Sequence, residues 1–293
     1  MAAQVSDALR TSTSRGLVLA SHGDGAPTIR FTDPTQLFQA IDHISGDFVI
    51  VTDVSSDDFA RIELERERER RAFRFRRYHA DAHILVVTIP TKLHEELHIQ
   101  LNRTYDHKLV RMGLEHSWIM MGSATFRAQN HPRGDGGEGD SVGGPNPERA
   151  TINGWPTLVI EAGDSESLNA LHQDMEWWFA ASNHEVKIVL LAKFDHIRHE
   201  IILERWEERS PNPRSGATTT PHAAVLRPRL QQEIVITRDA TTNPPSYNVI
   251  SDALVLSFEL LFGRPPRGHE EDFEFSIAEL KRYAEYVWAF VRD

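Results

Sequence analysis

The sequence predicts an α/β protein in which helices flank a central mixed β-sheet, and two observations lead to this fold class. The apolar run from Trp155 to Ala162 is nearly continuous, which is typical of a strand buried on both faces of a sheet. A helical pattern opens at Ser165 and is followed by a second apolar run, Val186 to Phe194. Strand, helix and strand in this order predict a parallel βαβ unit. We expect α+β extensions on both sides of this core.

Composition limits the classes of protein that the chain can belong to. Its 293 residues, 40% of them apolar and 26% charged, are enough for one large domain or two ordinary ones. The chain has no cysteine, which excludes disulfides and thiolate metal sites. A net charge of -11 repels nucleic acid, so binding to DNA or RNA would require a local basic patch or bound metal cations.

The N-terminal residues 1–25 are predicted to be disordered. They lack the apolar core of a signal peptide, although their serines, threonines and arginines leave a transit peptide as the alternative. No apolar run approaches the ~20 residues that span a bilayer, so we expect no membrane contact. Together with the missing cysteines, this predicts an intracellular protein of the cytoplasm or nucleus.

Residues 26–70 are predicted to form an N-terminal α/β extension. A helix begins at Asp33-Pro34, and the segment DFVIVTDV reads as a short strand. Residues 57–77 carry dense charge of both signs, which predicts a solvated helix with Glu/Arg pairs at helical spacing. The alternative is that the basic end of this segment, Arg70 to Arg77, contacts phosphates.

Residues 71–206 are predicted to form the core and 207–293 a C-terminal extension. The core has a strand over 83–89, a helix that ends at Gly113, a strand over 117–128 and a glycine-rich loop over 129–154. The C-terminal part has a loop over 207–222, strands over 232–239 and 252–262, and a closing helix. The apolar faces predicted for the two helices are Leu93, Leu97, Leu101, Tyr105, Leu109 and Met112, and Ile277, Leu280, Tyr283, Ala284 and Val287.

The first candidate site is the HExxH motif His94-Glu95-Glu96-Leu97-His98 on the predicted helix. Two histidines four residues apart share a helix face and can bind zinc, while Glu95 can activate water. Against a zinc site, the motif lies in the first turn beside the buried face. Only Glu115 and His116 stand nearby in sequence as a third ligand.

The second candidate site pairs Asp140, in the glycine-rich loop, with Glu161, at the end of the buried strand. Mg²⁺ (or Mn²⁺) prefers oxygen ligands, commonly one or two carboxylates with water and phosphate completing its shell. A glutamate after five apolar residues is costly to bury unless it is paired or bound to metal. The alternative for Glu161 is a carboxylate at the sheet edge that caps the helix opening at Ser165.

The third candidate is Lys187, inside the otherwise apolar run HEVKIVLLAKF. Lysine is seldom buried without a partner, so we expect its ammonium either to hold a phosphate or the attacking water near Glu161, or to extend into solvent from the start of the strand.

The order of these segments resembles the PD-(D/E)XK restriction-endonuclease-like superfamily. Asp140, the strand Trp155 to Glu161, the Ser-Glu-Ser at 165–167, an aromatic-rich helix and Val186 to Leu191 carry the resemblance. The nearest branch is an endonuclease family common in cyanobacteria and related uncharacterised fungal proteins. The segments Thr88 to Glu95 and Leu254 to Phe262 are also similar to the fungal group. The resemblance covers roughly residues 70–293, through the order of its blocks.

This resemblance implies a restriction-endonuclease-like core, Asp140 and Glu161 as metal ligands, and the helix of His94 and Glu95 beside the active site. One departure concerns the lysine that the superfamily has two residues after the glutamate, because that position is Gly163 here. Lys187 is the replacement that we expect.

The leading hypothesis is a Mg²⁺-dependent nuclease or phosphodiesterase in which Asp140 and Glu161 hold the metal, Lys187 steadies the developing charge, and Glu95 faces the same cavity. One alternative is a catalytically inactive relative that binds nucleic acid, a protein partner or a second copy of itself. Another is a zinc hydrolase that uses His94, Glu95 and His98.

Overall fold

The structure is a computed structural model that describes residues 27–44, 46–122, 124–129, 134–210 and 226–291. The predicted disordered segment 1–25 and most of the predicted loop 207–222 lie outside these ranges.

The described residues form six helices and fifteen strands. The first half contains β1 (Thr28–Arg30), α1 (Pro34–Ile41), β2 (Phe48–Thr52), α2 (Ser56–Glu69), β3 (Arg74–His79), β4 (Ile84–Thr88), α3 (Lys92–Met112), β5 (Trp118–Met120), β6 (Phe126–Arg127), β7 (Gly136–Gly137) and β8 (Ser141–Pro145). The second half contains β9 (Leu158–Gly163), α4 (Leu168–Ala181), β10 (Ile188–Asp195), β11 (Glu200–Arg209), β12 (Arg227–Asp239), β13 (Ser246–Ile250), β14 (Leu254–Leu256), α5 (Phe258–Phe262), β15 (Phe273–Phe275) and α6 (Ile277–Trp288).

A seven-stranded sheet forms the centre of the molecule, in the order β13-β12-β11-β10-β9-β8-β5. Strands β9 and β10 are parallel, and the other neighbours in this sheet are antiparallel. Helix α4 connects the parallel pair, so the predicted βαβ unit is confirmed. The prediction of an α/β protein with a mixed sheet flanked by helices is confirmed with it.

The two faces of the central sheet bury different side chains. Leu158, Ile160 and Ala162 of β9 pack with the apolar face of α3 and with α6. Val159 points to the opposite face and packs with Trp178 and other residues of α4. Because side chains alternate along a strand, Glu161 lies on the α4 side. Every residue of β9 is buried, as the continuous apolar run predicted.

A six-stranded sheet, β1-β2-β4-β3-β7-β6, packs against α1 and α2 with its own apolar core. Strand β2 pairs with β4, so this sheet crosses the boundary predicted between residues 70 and 71. The boundary predicted between residues 206 and 207 falls inside β11. The long strand β12 pairs with β11 and joins the C-terminal segment to the central sheet.

The helix predicted over 57–77 is wrong in its second half. Helix α2 ends at Glu69, and Arg70 adopts the left-handed conformation with φ of 53°. The chain then forms β3, in which Phe75 and Tyr78 are fully buried in the apolar core of the six-stranded sheet. Burial of these aromatic side chains outweighs the helical charge pairs, so most of the basic end lies on a strand.

Two further predictions of local structure are corrected. The loop predicted over 129–154 contains β8, which pairs with β9 and is buried. The strand predicted over 252–262 divides into β14 and α5, because the side chain of Ser257 accepts a hydrogen bond from the amide of Leu260 and caps the helix. None of the described helices combines the length and apolar character needed to cross a bilayer.

Candidate functional site

The candidate site is built around the first turns of α3, where the HExxH motif lies. The side chain of Thr91 accepts a hydrogen bond from the amide of His94 and caps the helix. Leu93 and Leu97 fix the helix on the central sheet, so the His94 and His98 side chains are held beside the core. Both imidazoles are buried, with 1% and 2% of their surface exposed.

The carboxylate of Asp140 lies beside these two histidines and is positioned by the central sheet. Ser141 pairs with Ile160 at the end of the β8–β9 ladder, which brings Asp140 next to Glu161. Asp140 Oδ2 accepts a hydrogen bond from the amide of Ala162 at 2.8 Å, so the backbone near the end of β9 fixes the carboxylate. Its Oδ1 lies 3.0 Å from His94 Nε2.

His94, His98 and Asp140 form a group that can bind a metal ion. Each offers one ligand atom, and these three atoms lie within 4.8 Å of one another. The sequence offered Glu115 and His116 as third ligands for the histidine pair, whereas the structure brings Asp140 to it. His98 Nδ1 lies 2.8 Å from Ser141 Oγ, which orients the ring so that its Nε2 faces the group.

The charges of this group shift two pKa values in opposite directions. Burial lowers the pKa of His94, but the adjacent Asp140 carboxylate outweighs burial and raises that pKa to about 9. Burial also raises the pKa of Asp140, but His94, His98 and Arg74 together hold it well below its usual range. Asp140 is therefore ionised at neutral pH, as a metal ligand must be.

Arg74 of β3 makes contact with the same group. Its Nη1 donates to Asp140 Oδ1 at 2.8 Å and lies 3.4 Å from His98 Nε2. Its Nη2 lies 3.0 Å from Glu95 Oε1. Burial raises the pKa of Glu95, but the hydrogen bond with His98 and the charge of Arg74 lower it overall. The HExxH glutamate is therefore an anion held by the arginine, and no local sequence pattern indicates this pairing.

Glu161 lies beside this group but on the α4 side of the sheet. Its side chain accepts a hydrogen bond from Trp178 Nε1, and the residue is 3% exposed. Burial raises the pKa of Glu161 well above its usual range, and the charges of Asp140 and Asp174 raise it further. A carboxyl group binds metal only when it has lost its proton, so the opposite pKa shifts favour Asp140 over Glu161 for this role.

Two arginines of β3 lie under the site in a buried ionic network. Arg76 Nε donates to Asp174 at 2.6 Å, and Arg76 Nη1 lies 2.7 Å from Glu166. Arg77 Nη2 donates to the same Asp174 at 2.9 Å. Buried charges paired in this way fix the separation between β3 and α4, because losing one partner leaves an uncompensated charge.

The structure does not bring Lys187 to the acidic residues. Its amine donates to the carbonyl of His184 at 2.6 Å, just before β10, whereas Glu161 is near the far end of the parallel strand β9. Lys193 is the lysine that lies beside Gly163, with which it pairs in register. A Cβ atom on Gly163 would lie 3.2 Å from Lys193 Cδ. The apolar run contained both lysines, and strand register distinguishes them.

A cavity of about 650 Å³ opens on the site and borders both Asp140 and Arg74. Arg66, Arg70 and Arg71, from the end of α2 and the turn after it, also line this cavity, together with Glu63 and Glu67 of α2. Arg66 is held by both oxygens of Glu138, at 2.6 and 2.7 Å. An anion in this cavity would meet guanidinium groups on its way to Asp140.

Comparison with known proteins gives no relative for this arrangement. The sequence matches no family model, and no curated protein or solved structure shows significant similarity to the chain.

Proposed function

We propose that the chain is a metal-dependent phosphodiester hydrolase whose metal ion binds His94, His98 and Asp140. The convergence of these three side chains carries the proposal, since their ligand atoms lie within 4.8 Å of one another. The arginine-lined cavity beside Asp140 supports a phosphate-containing substrate, because guanidinium groups match the geometry and charge of phosphate.

The ligand set favours a transition metal over Mg²⁺. Imidazole suits zinc and other transition metals, whereas Mg²⁺ prefers oxygen ligands. The pair Asp140 and Glu161, with Mg²⁺ or Mn²⁺, is the second arrangement that we consider. It shares Asp140 with the first. Each arrangement requires one ligand to lose a proton on metal binding, His94 in the first and Glu161 in the second, and the second also breaks the hydrogen bond between Glu161 and Trp178.

Each part of the site would have a distinct role in hydrolysis. A metal ion held there would polarise a phosphoryl oxygen and lower the pKa of a bound water. Glu95, one residue after His94, would accept the proton from that water. Arg66, Arg70 and Arg71 would hold the phosphate from the cavity side.

We also infer that the central sheet is restriction-endonuclease-like. Asp140 and Glu161 at the adjoining ends of β8 and β9 support this inference, since the resemblance expects the two acids there. Lys193 beside Gly163 supports it further, because an amine from the neighbouring strand would fill the place of the lysine that position 163 lacks.

Metal binding and hydrolysis test the proposal together. The purified protein is titrated calorimetrically with Zn²⁺, Mn²⁺ and Mg²⁺, and it is assayed on bis(4-nitrophenyl) phosphate, single-stranded DNA and RNA. One bound Zn²⁺ per chain and hydrolysis that EDTA abolishes are expected. His98→Ala should lose both, whereas the matched control His116→Ala, at an exposed histidine, should keep both. Unchanged metal uptake in His98→Ala would exclude this centre.

A non-catalytic binding protein is the second candidate function. Its supporting observation is that the acidic groups of the site already have partners: Asp140 contacts Arg74 and His94, and Glu161 contacts Trp178. Such a protein would keep the site as an ionic core and bind a nucleic acid, another protein or a second copy through its surface. Absence of metal uptake at millimolar Zn²⁺ and Mg²⁺ would favour it.

A further inference from the structure

Arg74 occupies the region that a metal ion on the proposed ligands would need. Its Nη1 is 2.8 Å from Asp140 Oδ1 and 3.4 Å from His98 Nε2. His94 Nε2 lies 3.0 Å from the same carboxylate oxygen. One guanidinium nitrogen thus contacts two of the three ligands directly and shares its acceptor atom with the third.

The charge of a metal ion on these ligands would repel the guanidinium of Arg74. Zn²⁺ binds oxygen and nitrogen at about 2.0–2.2 Å. An ion on Asp140 Oδ1 would therefore lie within about 5 Å of Arg74 Nη1, since that nitrogen is 2.8 Å from the same oxygen. The side chains of Arg74 and Asp140 are only 16% and 7% exposed, so solvent screens charges weakly here and a dication and a guanidinium repel each other strongly.

We infer that Arg74 is the resident cation of the ligand set and that a metal ion displaces it into the arginine-lined cavity. This inference rests on the proposed function and describes how the same site is regulated. The cavity of about 650 Å³ borders Arg74 itself, so the guanidinium has space into which it can turn. There the guanidinium would face the cavity that Arg66, Arg70 and Arg71 also line, and a phosphate in the cavity gains a further donor.

Displacement of Arg74 also changes Glu95. In the structure Arg74 Nη2 lies 3.0 Å from Glu95 Oε1, and this contact holds the carboxylate away from the role of base. His98 Nε2 lies 3.4 Å from the same oxygen, so Glu95 becomes free to accept a proton when the arginine turns away and His98 binds the metal. Metal binding thus prepares the base and the phosphate site in one movement, and the metal-free protein stays inactive.

The first test measures Zn²⁺ affinity by calorimetry in the wild-type chain and in two variants. Arg74→Gln removes the competing charge, so Zn²⁺ should bind at least about tenfold more tightly than to the wild type. Arg70→Gln is the matched control: it removes the same charge from an arginine that lines the cavity and makes no contact with the ligand set among the described residues, and it should bind Zn²⁺ as the wild type does. Equal affinity in wild type and Arg74→Gln would overturn the inference and leave the metal centre standing. Absence of Zn²⁺ uptake in both would overturn the metal centre and the inference together.

The second test uses the wild-type chain and does not depend on a variant that folds. Phenylglyoxal labels accessible arginines, and the labelled positions are read by mass spectrometry of peptides. Labelling of Arg74 should rise severalfold at saturating Zn²⁺, while that of the exposed Arg70 should stay constant. If labelling of Arg74 stays the same or falls on Zn²⁺ binding, the arginine is not displaced.

Discussion

Trp178 donates its indole N–H to Glu161 inside the core between the central sheet and α4. Burial, Asp140 and Asp174 raise the pKa of Glu161 well above its usual range, although Arg77 and the hydrogen bond from Trp178 oppose the shift. The residue that looked most like a metal ligand in the sequence is thus a buried hydrogen-bond partner whose surroundings favour the neutral carboxyl group.

Replacing Glu161 by glutamine should therefore change little. Glu161→Gln keeps the acceptor oxygen and has no charge, which is the form that burial favours at this position, so the free energy of unfolding should fall by less than about 1 kcal/mol in urea titrations. Zn²⁺ affinity should also stay as in the wild type if His94, His98 and Asp140 are the ligands. Loss of metal binding in Glu161→Gln would instead support the pair Asp140 and Glu161.

The partner of Glu161 provides a second prediction, because α4 carries two adjacent tryptophans. Trp178→Phe removes the donor to Glu161 and should destabilise the protein more than Trp177→Phe, by about 1–3 kcal/mol, the cost of an unsatisfied buried polar group. Trp177 is the matched control, because its own indole N–H has no hydrogen-bond partner in the described part of the chain. Urea unfolding of both variants at neutral pH makes the comparison, and equal losses would contradict it.

Asp140 should support stability as well as metal binding. Asp140→Asn leaves the buried cations Arg74 and His94 without their shared carboxylate, so we expect a loss of about 3–5 kcal/mol in the presence of EDTA. Arg74→Gln added to Asp140→Asn removes one of these uncompensated charges and should recover part of the loss. If the double variant loses as much unfolding free energy as the two single variants lose together, the two side chains are not coupled.

Local periodicity was enough to predict the central parts of the fold. The buried strand near Glu161 and the helix of His94 and His98 follow from apolar patterns that extend over one element. Strand β8 was missed because its sequence, SVGGP, has one large apolar side chain and is held by pairing with β9. Strand β3 was missed because arginines alternate with its aromatic residues and resemble a charged helix face.

The candidate site could be predicted only in part, because its contacts join distant parts of the chain. The HExxH motif indicated the His94–His98 pair from spacing alone. Asp140 follows His94 by 46 positions, and Arg74 precedes Asp140 by 66, so no local pattern connects them. Lys193 likewise depends on the register between β9 and β10.

The close packing around Gly163 leads to a prediction about stability. A Cβ atom at this position would lie 2.8 Å from Leu171 Cδ1, which is tighter than carbon atoms tolerate. Gly163→Ala should therefore destabilise the protein by about 1–3 kcal/mol through overpacking against α4. Gly46→Ala is the matched control, because a Cβ atom there would have its nearest neighbour at 3.8 Å. Thermal unfolding that shifts equally in the two variants would contradict this packing.

His172 on α4 provides a pH dependence away from the metal site. Its Nε2 lies 2.7 Å from Glu204, and this hydrogen bond raises the pKa of His172 above its usual value of 6.5, although partial burial opposes the shift. Because the folded-state pKa is the higher one, the pair contributes its full stabilisation below pH 6.5 and loses it as the pH rises through the folded-state pKa. His172→Gln should therefore lower the urea midpoint more at about pH 5.5 than at about pH 9.

The control for this effect is His116→Gln, at an exposed histidine, which should shift the midpoint equally at both pH values. Trp206 Nε1 also donates to Glu204, at 2.7 Å, so the carboxylate keeps one donor when His172 loses its proton. The pH-dependent part of the difference between wild type and His172→Gln therefore reports the histidine alone. A difference that grows as the pH rises would have the wrong sign for a raised pKa. It would show that the contact with Glu204 does not raise the pKa of His172.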